Sequence, residues 1–348
     1  MPEFSERRPE LFMDPDVDAA RRFFRDKPRR MENKVTTVAE AVRRYVTDGC
    51  YIAVGGFGTN RIPTALLHEI LRQGRKGLGL SGHTATHDCQ ILAAGEAFDR
   101  CDVAYVIGLE ARGLSRSARR LFETGRLRVT EWSNAALAWR YQAAAMGIPF
   151  MPARVMLGSD TGLRSAAAEI TCPFTGIKLL ALPALYPDVA LVHVHRSDVY
   201  GNCQIDGISV SDLDVARAAR RLIVTCERLV PTEEIRRDPT RTAIPYYLVD
   251  AVSEVPYGSY PGNMPYEYFS DEDHLRRWLE AEEDPVRLCE FVRRHILDTP
   301  DFTAYLELCG GLERMRQLRL RELLIPENVS PAPAAPAAPA VPAQGGDR

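Results

Sequence analysis

The sequence contains no long hydrophobic run. Of its 348 residues 45% are hydrophobic, yet no apolar stretch approaches the roughly 20 residues that a membrane-spanning helix needs. The first residues are rich in charge, unlike the apolar centre of a signal peptide. We therefore expect a cytoplasmic protein that does not bind a membrane.

An excess of charge of one sign is also missing. The chain has 44 lysines and arginines against 47 aspartates and glutamates, which gives a net charge of −3. Nucleic-acid-binding proteins usually carry a strong basic patch, so this balance argues against nucleic acid as a partner. The length suits one large or two small globular domains with ample core.

Paired cysteines of the metal-binding or redox type are absent. The eight cysteines show no C-x-x-C spacing, and several, such as Cys226, sit in apolar runs. We expect reduced, buried thiols. His83 and His87 are four residues apart, but no third ligand follows at a recognisable spacing. No metal site is therefore predicted.

Two common enzyme signatures are incomplete. The segment 56–61 begins like a dinucleotide-binding G-x-G-x-x-G motif but ends in Arg61, and no acidic residue closes a second strand near residues 78–81. No G-x-S-x-G nucleophile motif occurs. These gaps argue against a nicotinamide cofactor and against a serine hydrolase.

What the sequence does contain is an alternation of short apolar runs and amphipathic segments. Candidate strands cover residues 51–54, 77–80, 103–107, 127–130, 178–182, 189–195, 222–226 and 249–255. Candidate helices lie near residues 41–46, 63–73, 87–94, 115–124, 134–146, 211–221 and 271–281. This order predicts an α/β fold of three layers, with a mostly parallel sheet and helices on both faces.

Composition also divides the chain into segments. Residues 1–32 form a charged extension that we expect to dock on a surface, and residues 33–328 form the main domain. Residues 329–348 are a Pro/Ala tail with too little apolar surface to fold, so we expect a disordered segment.

The most informative stretch runs from Asp48 to Pro63. An apolar run enters Gly55-Gly56-Phe57, and Pro63 then opens an apolar-periodic helix. Paired glycines allow a ligand to lie against the main chain, although a turn without a ligand needs the same residues. Ser81-Gly82-His83-Thr84 follows the second strand. Both loops should lie at the carboxyl edge of the sheet, where α/β proteins bind ligands.

This stretch resembles the signature of family I coenzyme A transferases, in the subunit called A or alpha. Asp48-Gly49, three apolar residues, Gly55-Gly56-Phe57 and Pro63 match, and only Arg61 replaces a glycine. The run Thr59-Asn60-Arg61 is similar to the glutaconate CoA-transferase branch. Two further segments, 233–240 and 256–261, are similar to that branch, and the resemblance extends from about Val35 to about Glu280.

The resemblance implies an activity and a partner. Family I enzymes move CoA from an acyl-CoA to a carboxylate acceptor through a Glu–CoA thioester, with ping-pong kinetics. In two-chain members that Glu belongs to the B subunit, in a Glu-x-Gly type of motif that we expect to be absent from this chain. We therefore expect no catalytic residue in this chain and a heterodimer or heterotetramer with the B subunit. Coenzyme A would be a substrate, and no permanently bound cofactor is implied.

The same resemblance, together with the position of the two loops, selects the candidate site. The predicted substrate-binding residues are Gly55, Gly56, Phe57, Asn60, Arg61, Ser81, His83 and Thr84. A guanidinium at position 61 could hold a carboxylate bidentately, which suggests a dicarboxylate such as glutaconate. A surface arginine at the start of the helix is the other interpretation.

Two alternatives stay open at this stage. A CoA-ester hydrolase pair of the same fold would need Glu110, after the predicted third strand, as base or nucleophile. In our alignment the catalytic Glu of ring-cleaving relatives falls on Ser115 instead. A ligand-sensing domain should carry a helix-turn-helix, but residues 1–47 predict only one helix. The tyrosine-rich loop 257–268 suits either an interface or the chain's own core.

Overall fold

The computed structural model describes residues 9–106, 108 and 112–325. The strands are β1 (Tyr51–Val54), β2 (Leu78–Gly82), β3 (Phe98–Val103), β4 (Arg128–Glu131), β5 (Phe150–Ala153), β6 (Ala168–Thr171), β7 (Lys178–Pro183), β8 (Val189–Ser197), β9 (Cys203–Gln204), β10 (Arg221–Leu229), β11 (Thr242–Ile244) and β12 (Ala251–Glu254).

The α-helices are α1 (Val17–Asp26), α2 (Val38–Tyr45), α3 (Thr64–Arg72), α4 (His87–Ala94), α5 (Arg116–Glu123), α6 (Asn134–Met146), α7 (Asp160–Leu163), α8 (Asp212–Ala218), α9 (Thr232–Arg237), α10 (Glu272–Ala281), α11 (Pro285–Val292), α12 (Phe302–Leu308) and α13 (Gly311–Glu322). Short 3₁₀ turns cover Pro239–Arg241 and Tyr246–Leu248, and a π-helical turn, Arg293–Leu297, follows α11.

The central sheet is mostly parallel. Its long strands lie in the order β12-β10-β8-β1-β2-β3-β4, and all six pairings along that path are parallel. The short strands β9 and β11 add antiparallel pairings beyond the end of β1, against the carboxyl end of β8. The predicted α/β class with a mostly parallel sheet is confirmed.

Side-chain alternation on the strands builds a core on each face of this sheet. In β1, Ile52 and Val54 pack with helices α2 to α5, α10 and α11, whereas Tyr51 and Ala53 pack with α6, α8 and the smaller sheet. Helices therefore cover both faces, as the continuous apolar strands predict. Because these two apolar faces are buried, the strand ends and their loops are the parts of the sheet that a ligand could reach.

A second, antiparallel sheet was not predicted. It has the order β5-β7-β6. The predicted strand 178–182 does form, as β7, but it belongs to this sheet and not to the parallel one. Proline in β5 and an acidic residue in β6 break the apolar pattern of both neighbours, which explains why the sequence did not reveal them.

The third strand lies earlier than predicted. The apolar run at 103–107 favoured a strand there, but β3 is Phe98–Val103 and contains three charged residues. Charged strand residues are stable here because they pair. Asp102 is fully buried and bonded to Arg140 at 2.7 Å. Beyond β3 the chain turns back, and the amide of Ala104 bonds to Gly82 O.

The N-terminal segment contains a helix that the sequence did not reveal. Asp16 caps α1 by accepting from Asp18 N and Ala19 N. Lys27, just past this helix, is buried, forms an ion pair with Asp250 at 2.7 Å and donates to Leu248 O. Two helices, α1 and α2, therefore precede residue 47. Residues 27–37 separate them, which is far longer than the turn of a helix-turn-helix.

The tyrosine-rich loop belongs to the chain's own core. Tyr260, Met264 and Tyr268 are fully buried and pack with α12 and α13. Within the loop 257–268, Tyr266 is the residue that is largely exposed.

Three further expectations concern membrane-spanning helices, metal sites and cysteines. Within the described residues, no helix is both long and apolar enough to cross a membrane, and no group of three or more potential metal ligands is placed together. All eight cysteines are free. Five are buried as expected, but Cys289 is exposed, and Cys172 and Cys309 are partly exposed.

Glu282 joins the end of α10 to the start of α5. Its fully buried carboxylate accepts from Arg116 N at 2.7 Å, Ser117 Oγ at 2.8 Å, Ser115 Oγ at 2.9 Å and Trp278 Nε1 at 2.9 Å. A carboxylate at a helix N-terminus compensates both the unpaired N–H groups and the helix dipole.

We expect Glu282→Gln to lower the free energy of unfolding by about 1–3 kcal/mol, because the amide places N–H donors against other donors in a dry interior. Glu283→Gln is the matched control, since Glu283 is half-exposed and pairs only with Arg116 across 3.4 Å; its effect should stay within about 0.5 kcal/mol. Denaturant titration of both variants measures the difference. Equal effects would show that the Glu282 cluster does not hold the two helices together.

Candidate functional site

Two loops meet at the carboxyl edge of the parallel sheet. We name residues 55–61, after β1, the glycine loop, and residues 81–86, at the end of β2, the histidine loop. Gly58 N donates to Thr84 O at 2.8 Å, and the Thr86 hydroxyl donates to Gly58 O. The structure thus brings together the two segments that contain all eight predicted substrate-binding residues.

The glycine loop is a tight turn closed by its own backbone. Phe57 N donates to Asn60 O at 3.1 Å, and Asn60 N donates to Phe57 O at 2.8 Å. Outside the turn, Arg61 N donates to Asn263 O at 2.9 Å. This last bond attaches the loop to the segment that follows β12.

Both paired glycines have a reason within the fold. Gly56 has φ +79°, and a Cβ there would lie 2.3 Å from Asn60 O. A Cβ on Gly55 would lie 2.9 Å from the Asp212 carboxylate. The turn therefore needs glycine at both positions even without a ligand. Close approach of a ligand to this main chain stays a prediction.

Arg61 lies inside the protein and not at its surface. Its side chain has no exposed area and forms an ion pair with Asp212, with Nη1–Oδ1 and Nη2–Oδ2 distances of 3.0 Å. Nη2 also donates to Ile208 O at 2.7 Å. Sequence reasoning missed Asp212, which it read only as the beginning of a helix. Binding of a substrate carboxylate by Arg61 stays a prediction.

Two residues at the edge adopt a left-handed backbone conformation that is uncommon for side chains other than glycine. Arg61 has φ +54° and Thr84 has φ +51°. Such conformations cost about 1–3 kcal/mol each and persist where the surrounding contacts hold them. Two of the seven such residues in the described part of the chain thus lie in these two neighbouring loops, which supports this edge as a candidate functional site.

The polar side chains of the histidine loop point into the protein. Ser81 accepts a hydrogen bond from the Tyr141 hydroxyl. His83 is buried, with Nδ1 3.5 Å from Ser211 Oγ. Burial lowers the pKa of His83, while a hydrogen bond with the backbone of Asn134 acts in the opposite direction. A neutral imidazole at this place suits hydrogen bonding better than charge neutralisation.

A buried network of hydrogen bonds centres on Asp102, beside the strands that carry the two loops. The Asp102 carboxylate accepts from Tyr51 OH, Trp132 Nε1 and Arg140 Nη1. The Arg140 guanidinium lies 4.1 Å from the centre of the Trp132 ring. Burial and the Asp102 charge raise the pKa of Tyr51 well above its usual range. No local pattern in the sequence joins these distant residues.

His87, the second histidine of the motif, is structural. It is buried at the start of α4, with Nδ1 3.0 Å from Gln90 Oε1 and its ring edge-on to Trp278. Burial lowers the pKa of His87 to about 4. The ring is therefore neutral at physiological pH.

The open rim of the site has few polar groups. Phe57, Asn60 and Thr84 are partly exposed, and Ile208 and Val210 beside them are 61% and 47% exposed. Of the eight predicted residues only Arg61 carries a formal charge, and Asp212 neutralises it. The arrangement suits binding by shape and by main-chain groups more than acid–base catalysis.

The sequence raised two positions in connection with catalysis, Glu110 and Ser115. Glu110 lies outside the described residues. Ser115, aligned with the hydrolase Glu, caps α5 and is fully buried against Glu282. A Glu-x-Gly run does occur at Glu123-Thr124-Gly125, but Glu123 ends α5, at the opposite edge of the sheet, and pairs with Arg119 on the surface.

The larger cavities of the described residues lie elsewhere. One of about 640 Å³ is lined by residues of α3, α4, α5 and α11, and another of about 770 Å³ lies between α10, α11 and α12. Neither includes a residue of the two loops. The chemistry of the loops, and not cavity size, identifies the candidate site.

Comparison with known proteins gives a consistent result. The model of the coenzyme A transferase family matches residues 35–255. The A subunit of glutaconate CoA-transferase from Acidaminococcus fermentans is 34% identical over 299 residues, which cover 80% of this chain and 92% of that protein. The A subunit of 3-oxoadipate CoA-transferase from Pseudomonas knackmussii is 33% identical over 276 residues, 78% of this chain and 96% of that protein.

The crystal structure of the Acidaminococcus fermentans glutaconate coenzyme A-transferase has a similar fold. It superposes with a TM-score of 0.78 at 32% identity, covering 82% of this chain and 95% of that chain. The residues of this chain that match the family model include both loops and also the strands β1, β2, β3 and β8.

The two glycines of the turn Gly56-Phe57-Gly58 provide a test of how the loop is built. Gly56→Ala should lower the free energy of unfolding by about 2–4 kcal/mol, because left-handed strain adds to the contact with Asn60 O. Gly58→Ala is the matched control: Gly58 has φ +59°, but no atom of the described residues lies within 4 Å of the added Cβ. Its cost should be about 1 kcal/mol.

Chemical denaturation of both variants gives the comparison. An equal cost at the two positions would mean that the turn is not packed as described.

Proposed function

Because this chain belongs to the coenzyme A transferase family and is an enzyme subunit of it, we propose that it is the A subunit of a two-chain transferase. The complete enzyme would move CoA from an acyl-CoA to a free carboxylate. The observation that carries this proposal is the pair of apposed loops at the sheet edge, with no free carboxylate among the eight predicted residues. A site of this kind binds substrate but needs its nucleophile from elsewhere.

The reaction proceeds by exchange at a carboxylate of the partner subunit. That Glu carboxylate attacks the thioester carbonyl, and CoA leaves as a thiolate, which gives a mixed anhydride. The thiolate then attacks the Glu carbonyl and releases the donor acid, leaving a Glu–CoA thioester. The acceptor carboxylate reverses both steps, so a new acyl-CoA leaves and the Glu is regenerated.

This chain would contribute the surface against which the acyl group lies. Phe57, Asn60 and Thr84 form the accessible part, and the main chain of Gly55 and Gly56 forms the wall behind it. Ser81 and His83 lie deeper, where they form hydrogen bonds with Tyr141 and Ser211. Holding the thioester carbonyl near the attacking carboxylate is the contribution that a binding subunit makes to rate.

The partner would cover the open rim. Exposed Ile208 and Val210 border the glycine loop, and a second chain that buries them would also bring its carboxylate to the loop. Coenzyme A serves as a substrate, and no resident cofactor takes part. The resemblance of the run Thr59-Asn60-Arg61 to the glutaconate CoA-transferase branch supports a dicarboxylate acceptor of the glutaconate type, and this argument does not require that Arg61 itself contacts the acceptor.

The two-chain proposal predicts that this chain alone does not transfer CoA. The purified chain should show no turnover with acyl-CoA and acceptor, because it lacks the nucleophile, and co-expression with its partner, the B subunit, should restore activity. Borohydride reduction after acyl-CoA addition should modify only the partner, which peptide mass mapping can locate. Turnover by the chain alone at a rate comparable to that of the pair would overturn the proposal.

A further inference from the structure

The contacts of Asp212 connect helix α8 to the glycine loop at two points. Oδ1 accepts from Gly56 N at 2.8 Å, and Oδ2 accepts from Arg61 Nη2 at 3.0 Å. Asp212 is the first residue of α8, and its side chain has no exposed area. One carboxylate therefore contacts the glycine loop at both ends of its turn.

Position 55 is glycine because this carboxylate needs the space. A Cβ there would lie 2.9 Å from Asp212 Oδ1 and 3.1 Å from Val192 Cγ2. Any larger residue would force the carboxylate away from Gly56 N. The sequence Gly55-Gly56 and the distant Asp212 are thus parts of one arrangement.

Burial of this ion pair is costly unless it serves a purpose. Removing one member of a buried pair typically destabilises a protein by about 3–5 kcal/mol, whereas apolar residues in place of both are often tolerated. Among the described residues Arg61 Nε has no hydrogen-bond partner, and Arg61 Nη1 lies 3.0 Å from Asp212 Oδ1 without hydrogen-bond geometry. The pair is therefore not optimised for stability. The left-handed φ of Arg61 adds strain. These costs are typical of residues retained to fix a conformation.

We infer that Asp212 and Arg61 are positioning residues: their ion pair holds the glycine loop in the conformation that presents Phe57 and Asn60, and Arg61 does not contact the acceptor. The kinetic part of this inference rests on the proposed function. It differs from the prediction of direct carboxylate binding because the charge of Arg61 is already neutralised in a fully buried place.

The first experiment needs no reaction. Hydrogen–deuterium exchange of the isolated chain is compared for wild type, Asp212→Asn, Arg61→Gln and the double variant. Asp214→Asn is the control, since Asp214 lies on the same helix, is partly exposed and pairs with Arg217 across 3.8 Å. The three site variants should exchange at least about tenfold faster in the peptide covering residues 55–61. Unchanged exchange in all three would overturn the inference.

The second experiment uses the chain assembled with the B subunit. Either single substitution should lower kcat/KM by about ten- to a hundredfold, for monocarboxylate and dicarboxylate acceptors alike, and the double variant should be no worse than the single ones. The double variant leaves no uncompensated buried charge, so it also serves if a single variant does not fold. A rise of KM confined to dicarboxylates in Arg61→Gln, with Asp212→Asn unaffected, would overturn the inference in favour of direct binding.

The two readouts separate the two proposals. If the wild-type enzyme and the Asp214→Asn control, each assembled with the B subunit, transfer no CoA, the proposed function fails. The exchange rates of residues 55–61 then decide alone whether the Asp212–Arg61 ion pair orders the glycine loop.

Discussion

Strand β1 is parallel to both of its neighbours, and this constraint places the site. Its carboxyl end lies between those of β8 and β2, so the loops after these strands must meet at one edge. Two buried carboxylates then hold the elements around the site together. Asp212 ties α8 to the glycine loop, and Asp102 ties β3 to β1 and α6. The exposed rim is what remains once these internal contacts are made.

Much of the fold follows from local pattern. The apolar runs and helix caps predict the parallel strands and most helices between residues 37 and 281, because each signal lies within a few neighbouring residues. Thr37 shows this: the run from Thr37 to Glu40 has the Thr-x-x-Glu spacing of a capping box, and the Thr37 hydroxyl accepts from Glu40 N. β3 was misplaced because its charged residues are stabilised by partners far away in sequence. The small antiparallel sheet and the helices after residue 281 lack a clear periodic pattern of apolar residues in the sequence.

The candidate site was predictable in place but not in detail. The glycine loop and the histidine loop could be located because strand, turn and helix follow one another closely. The role of Asp212 could not be predicted, since 156 residues separate it from Gly56, whose amide donates to its carboxylate. The burial of Arg61 was missed for the same reason: nothing near it in the sequence is acidic, so an exposed cation was the natural interpretation. Side chains that neutralise one another across loops are visible only in three dimensions.

We place acyl-CoA at the loop edge, although the larger cavities lie near α3, α4, α10 and α11. The most direct test is photo-crosslinking of the assembled pair with an acyl-CoA that carries a diazirine on its acyl group, followed by peptide mapping. We expect crosslinks on this chain within residues 55–61 and 81–84, which excess unlabelled acyl-CoA suppresses. Suppressible crosslinks confined to residues that line either of those cavities would contradict this placement.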